Sequence, residues 1–436
     1  MFILPHLKGL TAGSIGSAAF KNAALDLNFA SNKSLIDSIS GSNLVTFTRA
    51  SSGTFVGSDG LLKTATTNEA RFDHNPTTGE SLGLLVEEQR TNSIRNNTGV
   101  GAAAGTPGTD PTNWSLSAAG NNVTKEVVGL GTENGIPYVD IRYSGTPTAG
   151  NSVSIAFEPT NFIAAASGQT WTESVFIKLQ AGSFSGTSTT LSLLGTDGTA
   201  GTENFSSPFI TSTPTNLQNG RLSVTATFAS ASTTRAQPRV RIGFTVGVAF
   251  DITLRIGLPQ LEQGAFATSP ILTTTAAATR SADVPSITGA NFSSWYNQTE
   301  GTMFANATAA VAASILPCYA SIDNGTTSER LQLRRVTNGT SPSYRVVAGG
   351  QSIDSATKTI GSPTGFNSHV LAYASSNYEG ACNGTLEGLI SIVNRPTATQ
   401  LQIGNGAGST VINGTIKRLT YWPTRLGNTT LQQITQ

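Results

Sequence analysis

The sequence predicts an all-β protein built from more than one sandwich-type domain. Its 436 residues are enough for two to four domains with cores of their own. Only 12% of the residues are charged and 46 are glycine, and the Lys- and Glu-rich stretches of helical domains are missing. Several segments alternate apolar and polar residues with a period of two, which is typical of strands with one buried and one solvated face.

The N-terminal part divides into an arm and a small β base. Residues 1–23 are small and apolar without a clean period, so we expect an arm that becomes ordered only on a partner. Residues 24–97 predict short strands such as Leu44–Arg49, Gly53–Val56 and Leu82–Glu87. Because this base is too short to bury much alone, we expect an intertwined homotrimer that completes its core.

The middle of the chain predicts an antiparallel jelly-roll sandwich. Residues 98–112 have neither period nor bulk and predict a linker. Within residues 113–270, apolar residues alternate with polar ones over Leu222–Phe228, Val240–Val246 and Ile252–Ile256. About eight strands are expected here, the number and spacing of a sandwich or jelly roll.

The last third predicts a second sandwich. Residues 271–285 are rich in Thr and Ala and predict another linker, and residues 286–436 contain a new set of strands. Asn428 is a candidate N-cap for a short terminal helix, in which Leu431 and Ile434 would pack an apolar edge on the sandwich.

Composition excludes several classes of protein. The net charge is +1 without a Lys/Arg run, which disfavours nucleic acid as a partner. No run approaches 18 apolar residues and the N-terminus lacks a signal-peptide pattern, so no membrane insertion is expected. Cys318 and Cys382 lack metal or redox spacing, and free buried thiols are favoured over a disulfide. No cofactor or metal is predicted, although calcium held by loop oxygens stays open.

Five short blocks resemble, in order and spacing, blocks near the N-terminus of bacteriophage fibre and spike proteins. They are Phe47–Ala50, Gly60–Leu62, Arg71–His74, Gly83–Glu87 and Arg90–Asn92. Leu258–Ile271 is similar to the same family's exit from a jelly-roll domain, and Thr279–Asp283 follows it. Such an ordered set over about fifty residues is hard to produce by chance. The resemblance implies a virion protein, assembled in the bacterial cytoplasm, that docks on another virion protein by its arm.

The last third resembles concanavalin-like or laminin-G-like sandwiches, in Glu300–Ala305, Gly325–Leu331 and Asn413–Pro423. Taken together, the resemblances imply a tail or head fibre, or a spike, that presents β-sandwich domains to host-surface glycans. Whether it would attach to the tail or to the head stays open.

Sugar recognition by a sandwich usually combines an exposed aromatic face with polar side chains. Trp171 and Trp422 alternate with polar neighbours on strands, so we expect them to pack in the core or on a sheet face. Four residues in turn-rich sequence are the predicted carbohydrate-binding residues: Trp295, Tyr296, Asn297 and Tyr378.

No catalytic site is predicted. Glycan hydrolysis needs two carboxylates at a defined separation, and the Glu-x-Asp-x-x-Glu pattern of concanavalin-like glycosidases is missing from residues 286–436. Glu87 and Glu88 are adjacent, so a strand would point them to opposite faces.

Two other motifs have structural interpretations. Ser321–Ser328 resembles a sialidase Asp box without its aromatic residue, and a hairpin turn explains it. Arg334 and Arg335 are expected on a solvated strand face or at a subunit contact, with ligand binding less favoured. Two rival functions stay open: a polysaccharide depolymerase tailspike, and a purely structural head decoration protein.

Overall fold

A computed structural model describes residues 20–118, 120–310, 316–336, 341–355, 365–390 and 394–436. The fold is nearly all β, as predicted. The described chain forms two compact units. The central unit comprises Arg49–Glu80 and Gln89–Ala282, and the terminal unit comprises the described residues up to Thr48 with Ser81–Glu88 and Asp283–Gln436.

The strands of the described residues are, in chain order, β1 (Leu25–Leu27), β2 (Thr46–Thr48), β3 (Gly53–Val56), β4 (Leu62–Ala65), β5 (Phe72–His74), β6 (Ser81–Val86), β7 (Arg90–Asn92), β8 (Ser115–Leu116), β9 (Val123–Glu133), β10 (Ile136–Gly145), β11 (Ser152–Ala156), β12 (Ile163–Ala164), β13 (Thr170–Gly182), β14 (Thr187–Thr196), β15 (Gly201–Ser206), β16 (Arg221–Thr227), β17 (Arg235–Phe244), β18 (Phe250–Gln263), β19 (Ala278–Arg280), β20 (Val284–Thr288), β21 (Gly301–Ala307), β22 (Cys318–Asp323), β23 (Arg330–Arg335), β24 (Pro342–Ala348), β25 (Gln351–Ser355), β26 (Asn367–Ala374), β27 (Asn377–Cys382), β28 (Thr385–Ile390), β29 (Gln400–Ile403) and β30 (Gly414–Trp422). Short helices are α1 (Phe29–Asn32), α2 (Gly289–Ser293), α3 (Asn428–Ile434) and a 3₁₀ turn at Leu217–Gly220.

The central unit is a sandwich of two antiparallel sheets. Sheet I has the strand order β16-β13-β18-β10-β9, and sheet II has the order β15-β14-β17-β11-β8 with β12 beside β17. On β17, Val240 and Ile242 are fully buried between the sheets, whereas Arg239 and Arg241 are partly exposed. The alternation confirms the sandwich predicted for this part of the chain.

The terminal unit is a second sandwich. Sheet III has the order β28-β27-β26-β21-β30-β6 with β1 beside β30, and sheet IV has the order β2-β20-β29-β22-β23-β24-β25. Strand β1 carries Asp26, whose carboxylate accepts hydrogen bonds from Arg418 Nε at 2.7 Å and Nη2 at 2.9 Å. Residues from the start of the described chain therefore complete a sheet formed mainly by its end.

The two units do not follow the predicted domain boundaries. Residues 24–97, predicted as one base, contribute to both units, because β1, β2 and β6 pair with strands of the last third. Residues 98–112, predicted as a linker, pair with β9: Gly105 and Val127 exchange backbone hydrogen bonds of 2.9 and 3.0 Å. Residues 271–285, the other predicted linker, contain β19. Composition does not reveal these pairings, because they are made by the backbone N–H and C=O groups that every residue type except proline carries.

Most of the predicted arm, residues 1–19, lies outside the described residues. The Phe20 ring lies 5.3 Å from the Phe304 ring and 5.7 Å from the Trp422 ring, and the Arg418 guanidinium lies 3.5 Å above it. The end of the predicted arm thus packs on the terminal unit.

Helix α3 has the predicted apolar edge, with Leu431 and Ile434 buried. Its N-cap is Gly427 rather than Asn428, which corrects the prediction. The Asn428 side-chain oxygen instead accepts a hydrogen bond of 2.7 Å from Arg425 Nη2. A cationic donor competes for the oxygen that would otherwise cap the helix.

Residues of the phage-like motifs meet in a buried polar cluster of the central unit. Arg71 Nη1 donates to Ser269 Oγ at 2.8 Å, and Arg280 Nη1 donates to the same oxygen at 3.0 Å and to Thr268 Oγ1 at 3.1 Å. Glu262 accepts from Thr268 N at 2.9 Å and from Thr268 Oγ1 at 2.5 Å. We call these five residues the motif cluster. The motif residues therefore have a structural role in the fold, since buried charges require hydrogen-bonding partners.

One carboxyl group lies in the apolar core of the central unit. Glu173, on β13, is fully buried between Trp171 and Val175 along the strand. Neither of its carboxyl oxygens has a hydrogen-bond partner in the described part of the chain. Burial raises the pKa of Glu173 well above its usual value, because a low-dielectric core disfavours the charged form, and Arg239 offsets this only in part.

We predict that Glu173→Gln stabilises the protein near neutral pH by about 1–3 kcal/mol. A carboxyl whose pKa is raised by folding contributes stability that is fully present below the unfolded-state value of 4.5 and is lost as the pH rises towards the folded-state value. The gain should therefore grow from acidic to neutral pH in urea denaturation. Glu126→Gln, a partly exposed and ion-paired control, should give no gain. A gain for Glu173→Gln that does not change with pH would contradict the prediction.

Candidate carbohydrate-binding site

The predicted sugar-binding aromatics belong to the core of the terminal unit. Trp295 is 6% exposed, and its ring packs edge-on at 5.0 Å from Phe292 and 4.9 Å from Tyr421. Tyr378 is fully buried and donates a hydrogen bond of 2.8 Å to Asn394 O. A sugar platform needs a solvent-facing ring, so these two residues are not platforms.

The other two predicted residues stabilise the same region. Asn297 Nδ2 donates to Pro423 O at 2.7 Å, and Asn297 O accepts from Tyr373 OH at 2.6 Å. Tyr296 is half-buried, with its ring 4.6 Å from Phe292, and burial raises its pKa. The structure thus brings the four predicted residues to one region, where turn-rich sequence is held in the core by aromatic contacts.

Tryptophan is buried throughout the chain. Trp171 and Trp422 are 6% and 1% exposed, which confirms their predicted packing role, and Trp114 and Trp295 are 7% and 6% exposed. Trp114 Nε1 donates a 2.6 Å hydrogen bond to Asn96 O. Any stacking platform of this protein must therefore come from Phe or Tyr.

Phe209 is such a residue, with 66% of its surface exposed. It lies in the segment 207–214, between β15 and the 3₁₀ turn. The segment is fixed at three points of the sandwich: Ser207 N donates to Leu191 O at 2.9 Å, Ile210 N donates to Thr189 O at 2.8 Å, and Thr213 Oγ1 accepts from Leu179 N at 3.1 Å. Phe209 is thus presented to solvent by an anchored loop.

The loop encloses a groove of about 360 Å³ against sheet I. Its walls are formed by residues 207–214 together with Ile177, Asn219, Gly220 and Leu222. The volume is within the range of about 300–1,000 Å³ typical of small-ligand sites. The lining combines the Phe209 ring and aliphatic side chains with Ser, Thr and Asn, and contains no charged residue.

This lining suits a neutral sugar. The apolar C–H face of a sugar ring packs on an aromatic face, and the surrounding hydroxyl and amide groups donate to and accept from its hydroxyls. Sequence reasoning missed Phe209 because it concentrated on Trp and Tyr. The available signal was a single aromatic residue between Pro208 and Pro214 in a run of Ser and Thr.

Glu87 and the Asp-box-like segment, both considered for catalysis, lie in the hydrogen-bonded framework of the terminal unit. Glu87 is buried, and its backbone N–H donates to Asp283 Oδ2 at 2.9 Å. The Asp-box-like segment is a hairpin turn between β22 and β23, as predicted, in which Asp323 Oδ1 accepts from Gly325 N at 2.8 Å.

The prediction that Arg334 and Arg335 lie on a solvated strand face is wrong. They are 4% and 0% exposed. Arg334 lies on the outer face of sheet IV and is ion-paired with Asp354. Arg335 points inward, with its guanidinium 5.7 Å from the Tyr319 ring.

The two cysteines are free thiols, and the described residues form no candidate metal site. Cys318 and Cys382 are free and buried, which confirms the prediction, and burial raises the pKa of each thiol to about 12. In the part of the chain that the structure describes, no group of three or more His, Cys, Asp or Glu side chains is placed to hold a metal ion. No helix among the described residues is long and apolar enough to cross a membrane.

Comparison with known proteins gives distant structural likenesses only. The sequence matches none of the protein-family models and none of the curated proteins compared with it. The sialyllactose-bound CBM40 of Ruminococcus gnavus IT-sialidase is 16% identical over 32% of this chain and 84% of its own, with a TM-score of 0.28. The tripod from the baseplate of bacteriophage Tuc2009 is 13% identical over 82% of this chain and 99% of its own, with a TM-score of 0.29. Domains LG4-5 of the mouse laminin α1 chain are 9% identical over 64% of this chain and 89% of their own, with a TM-score of 0.21. Scores this low say nothing about the ligand of this chain.

Proposed function

We propose that this protein is an adhesion protein of a bacteriophage particle, a fibre or spike that binds a host-surface glycan without cleaving it. The assignment to a phage particle rests on the ordered sequence motifs, several of whose residues meet in the motif cluster. The observation that carries the binding role is the exposed Phe209 ring over an uncharged groove. Both lie in the central unit.

The groove favours binding over cleavage. Hydrolysis of a glycoside needs an acid and a second carboxylate on either side of the bond, and the groove is lined by neither Asp nor Glu. A neutral shallow groove gives weak affinity, and a millimolar dissociation constant corresponds to only about −4 kcal/mol. Several copies on one particle would turn this into strong avidity.

The proposal is tested by incubating the full-length protein with host capsule or lipopolysaccharide. Retention on the polysaccharide without release of reducing ends supports it. Release of reducing ends would make the protein a depolymerase. Neither retention nor release would leave a structural decoration protein as the better account.

We expect Phe209→Ala to weaken retention on host glycan by about fivefold, because stacking on one aromatic ring contributes on the order of 1 kcal/mol. The melting temperature should stay within about 2 °C of the wild type, since an exposed side chain contributes little to stability. Phe162→Ala is the matched control: Phe162 is 44% exposed and lies outside the groove lining. Equal retention by the wild type and Phe209→Ala would remove the groove from the proposal.

A homotrimer remains a prediction that rests on the phage resemblance and on the advantage of multivalency. Residues 24–97 already contribute to the two units, so the small size of the predicted base is no longer an argument for the trimer. Sedimentation equilibrium should give three times the chain mass of 45.0 kDa. A 45.0 kDa species at micromolar concentration would contradict the trimer.

Docking through the N-terminal arm is also a proposal. We expect deletion of residues 1–19, which spares Phe20 and its contacts with Phe304 and Trp422, to leave the protein folded and glycan-binding but unable to join particles. Immunolabelling of intact particles measures the outcome. Normal occupancy by the truncated protein would assign docking to another part of the chain.

A further inference from the structure

The outer face of sheet IV is polar and rich in arginine. On β23, Arg330, Gln332 and Arg334 alternate with Leu331 and Leu333, which are buried in the core. In the sheet register Gln332 lies opposite Arg345 of β24. Arg345 in turn lies opposite Asp354 of β25. Three guanidinium groups on β23 and β24 therefore share one face with Asp354 of β25.

This face is unusually buried for so many charges. Arg330 is 6% exposed and Arg334 is 4% exposed. The segment 404–411 covers part of this face. Arg330 Nη1 and Gln332 Nε2 both donate to Ala407 O, the latter at 3.1 Å. The side chains of Arg345 and Asp354 are 26% and 36% exposed, so the face opens to solvent at their end.

Two carboxylates lie near these three arginines, and one of them, Asp323, is largely occupied by other donors. Asp323 accepts hydrogen bonds from Ser321 Oγ at 2.5 Å, from Gly325 N at 2.8 Å and from Gln400 Nε2 at 2.7 Å. Asp354 is shared, because its Oδ2 is ion-paired with Arg334 and lies 3.5 Å from Arg345 Nη1. One positive charge is left in excess.

The arginines are also short of acceptors. Within the described residues, Arg330 Nε and Arg345 Nε are buried and have no hydrogen-bond partner. The pKa of Arg330 is lowered first by burial and then by the charges of Arg345 and Arg334. Buried donors without acceptors and repulsion between like charges both cost folding free energy. A ligand that supplies negative oxygens would relieve both costs.

We infer that this face, which we name the arginine face and define by Arg330, Arg334, Arg345 and Asp354, binds the anionic group of a polysaccharide. A carboxylate or phosphate oxygen enters at the exposed Arg345, displaces Asp354 and accepts hydrogen bonds from the guanidinium groups. Arginine forks suit this role, because they bind carboxylate and phosphate oxygens with charge-assisted hydrogen bonds. The choice of a glycan as ligand rests on the proposed adhesion function. The site itself is separate from the neutral groove, and its ligand class is an acidic or phosphorylated glycan.

The test is calorimetric titration of the full-length protein with inorganic phosphate and, separately, with glucuronate, using glucose as the uncharged control. We expect saturable binding of at least one anion and none of glucose. Arg345→Gln should weaken binding by at least about tenfold. Arg142→Gln, an arginine of the central unit paired with Glu126 and Asp251, should leave binding unchanged. Preference for one anion identifies the source as phosphorylated or uronic glycan.

A second variant separates binding from misfolding. Asp354→Asn removes the competing carboxylate, so we expect it to tighten anion binding by several-fold, an effect that unfolding does not mimic. Phe209→Ala should not alter anion binding, so failure of the groove and failure of the arginine face are distinguishable. Absence of saturable binding of both anions, or equal affinities in wild type, Arg345→Gln and Asp354→Asn, would overturn the inference.

Discussion

The central unit depends on the burial of charged side chains that only fixed partners can satisfy. Arg71, Arg280 and Glu262 are almost completely excluded from solvent, and each requires hydrogen bonds in the folded state. Ser269 receives donors from both arginines, and Thr268 joins Arg280 to Glu262. Loss of one member would leave another charge buried without its partner. This constraint explains why residues of motifs that are far apart in the chain meet in the fold.

Buried charge is handled differently in the two units. In the motif cluster, the hydroxyl groups of Ser269 and Thr268 accept hydrogen bonds from the arginines, and Thr268 links Arg280 to Glu262. On the arginine face, three cations face two carboxylates, and Asp323 is already held by Ser321 and Gln400. The charged residues of the motif cluster are almost completely excluded from solvent, whereas the arginine face opens to solvent at Arg345 and Asp354, where a ligand can enter. The same residue type is therefore structural in one unit and a candidate for binding in the other.

The aromatic residues in turn-rich sequence also differ in their exposure to solvent. Trp295 and Tyr378 lie in sequence that looks like a surface turn, but each ring is surrounded by the core of the terminal unit. Phe209 lies in similar sequence and is exposed, because backbone hydrogen bonds of Ser207 and Ile210 tie its loop to β14. The anchors of a loop, more than its composition, decide whether an aromatic ring faces water.

The sequence by itself determined the fold class and much of the strand pattern, because a period of two records which face of a strand is buried. Val240 and Ile242 on β17 and Leu331 and Leu333 on β23 follow that rule. It also favoured free thiols at Cys318 and Cys382, and the structure confirms them. The tertiary structure alone decided that residues 24–97 belong to two units, since strand pairing uses backbone groups that nearly all residue types share. It alone placed Phe209 over a groove and three arginines on one face, because those arrangements depend on contacts between residues far apart in the chain. Local sequence patterns indicate which side chains are buried, whereas only long-range strand pairing brings together the side chains of a site.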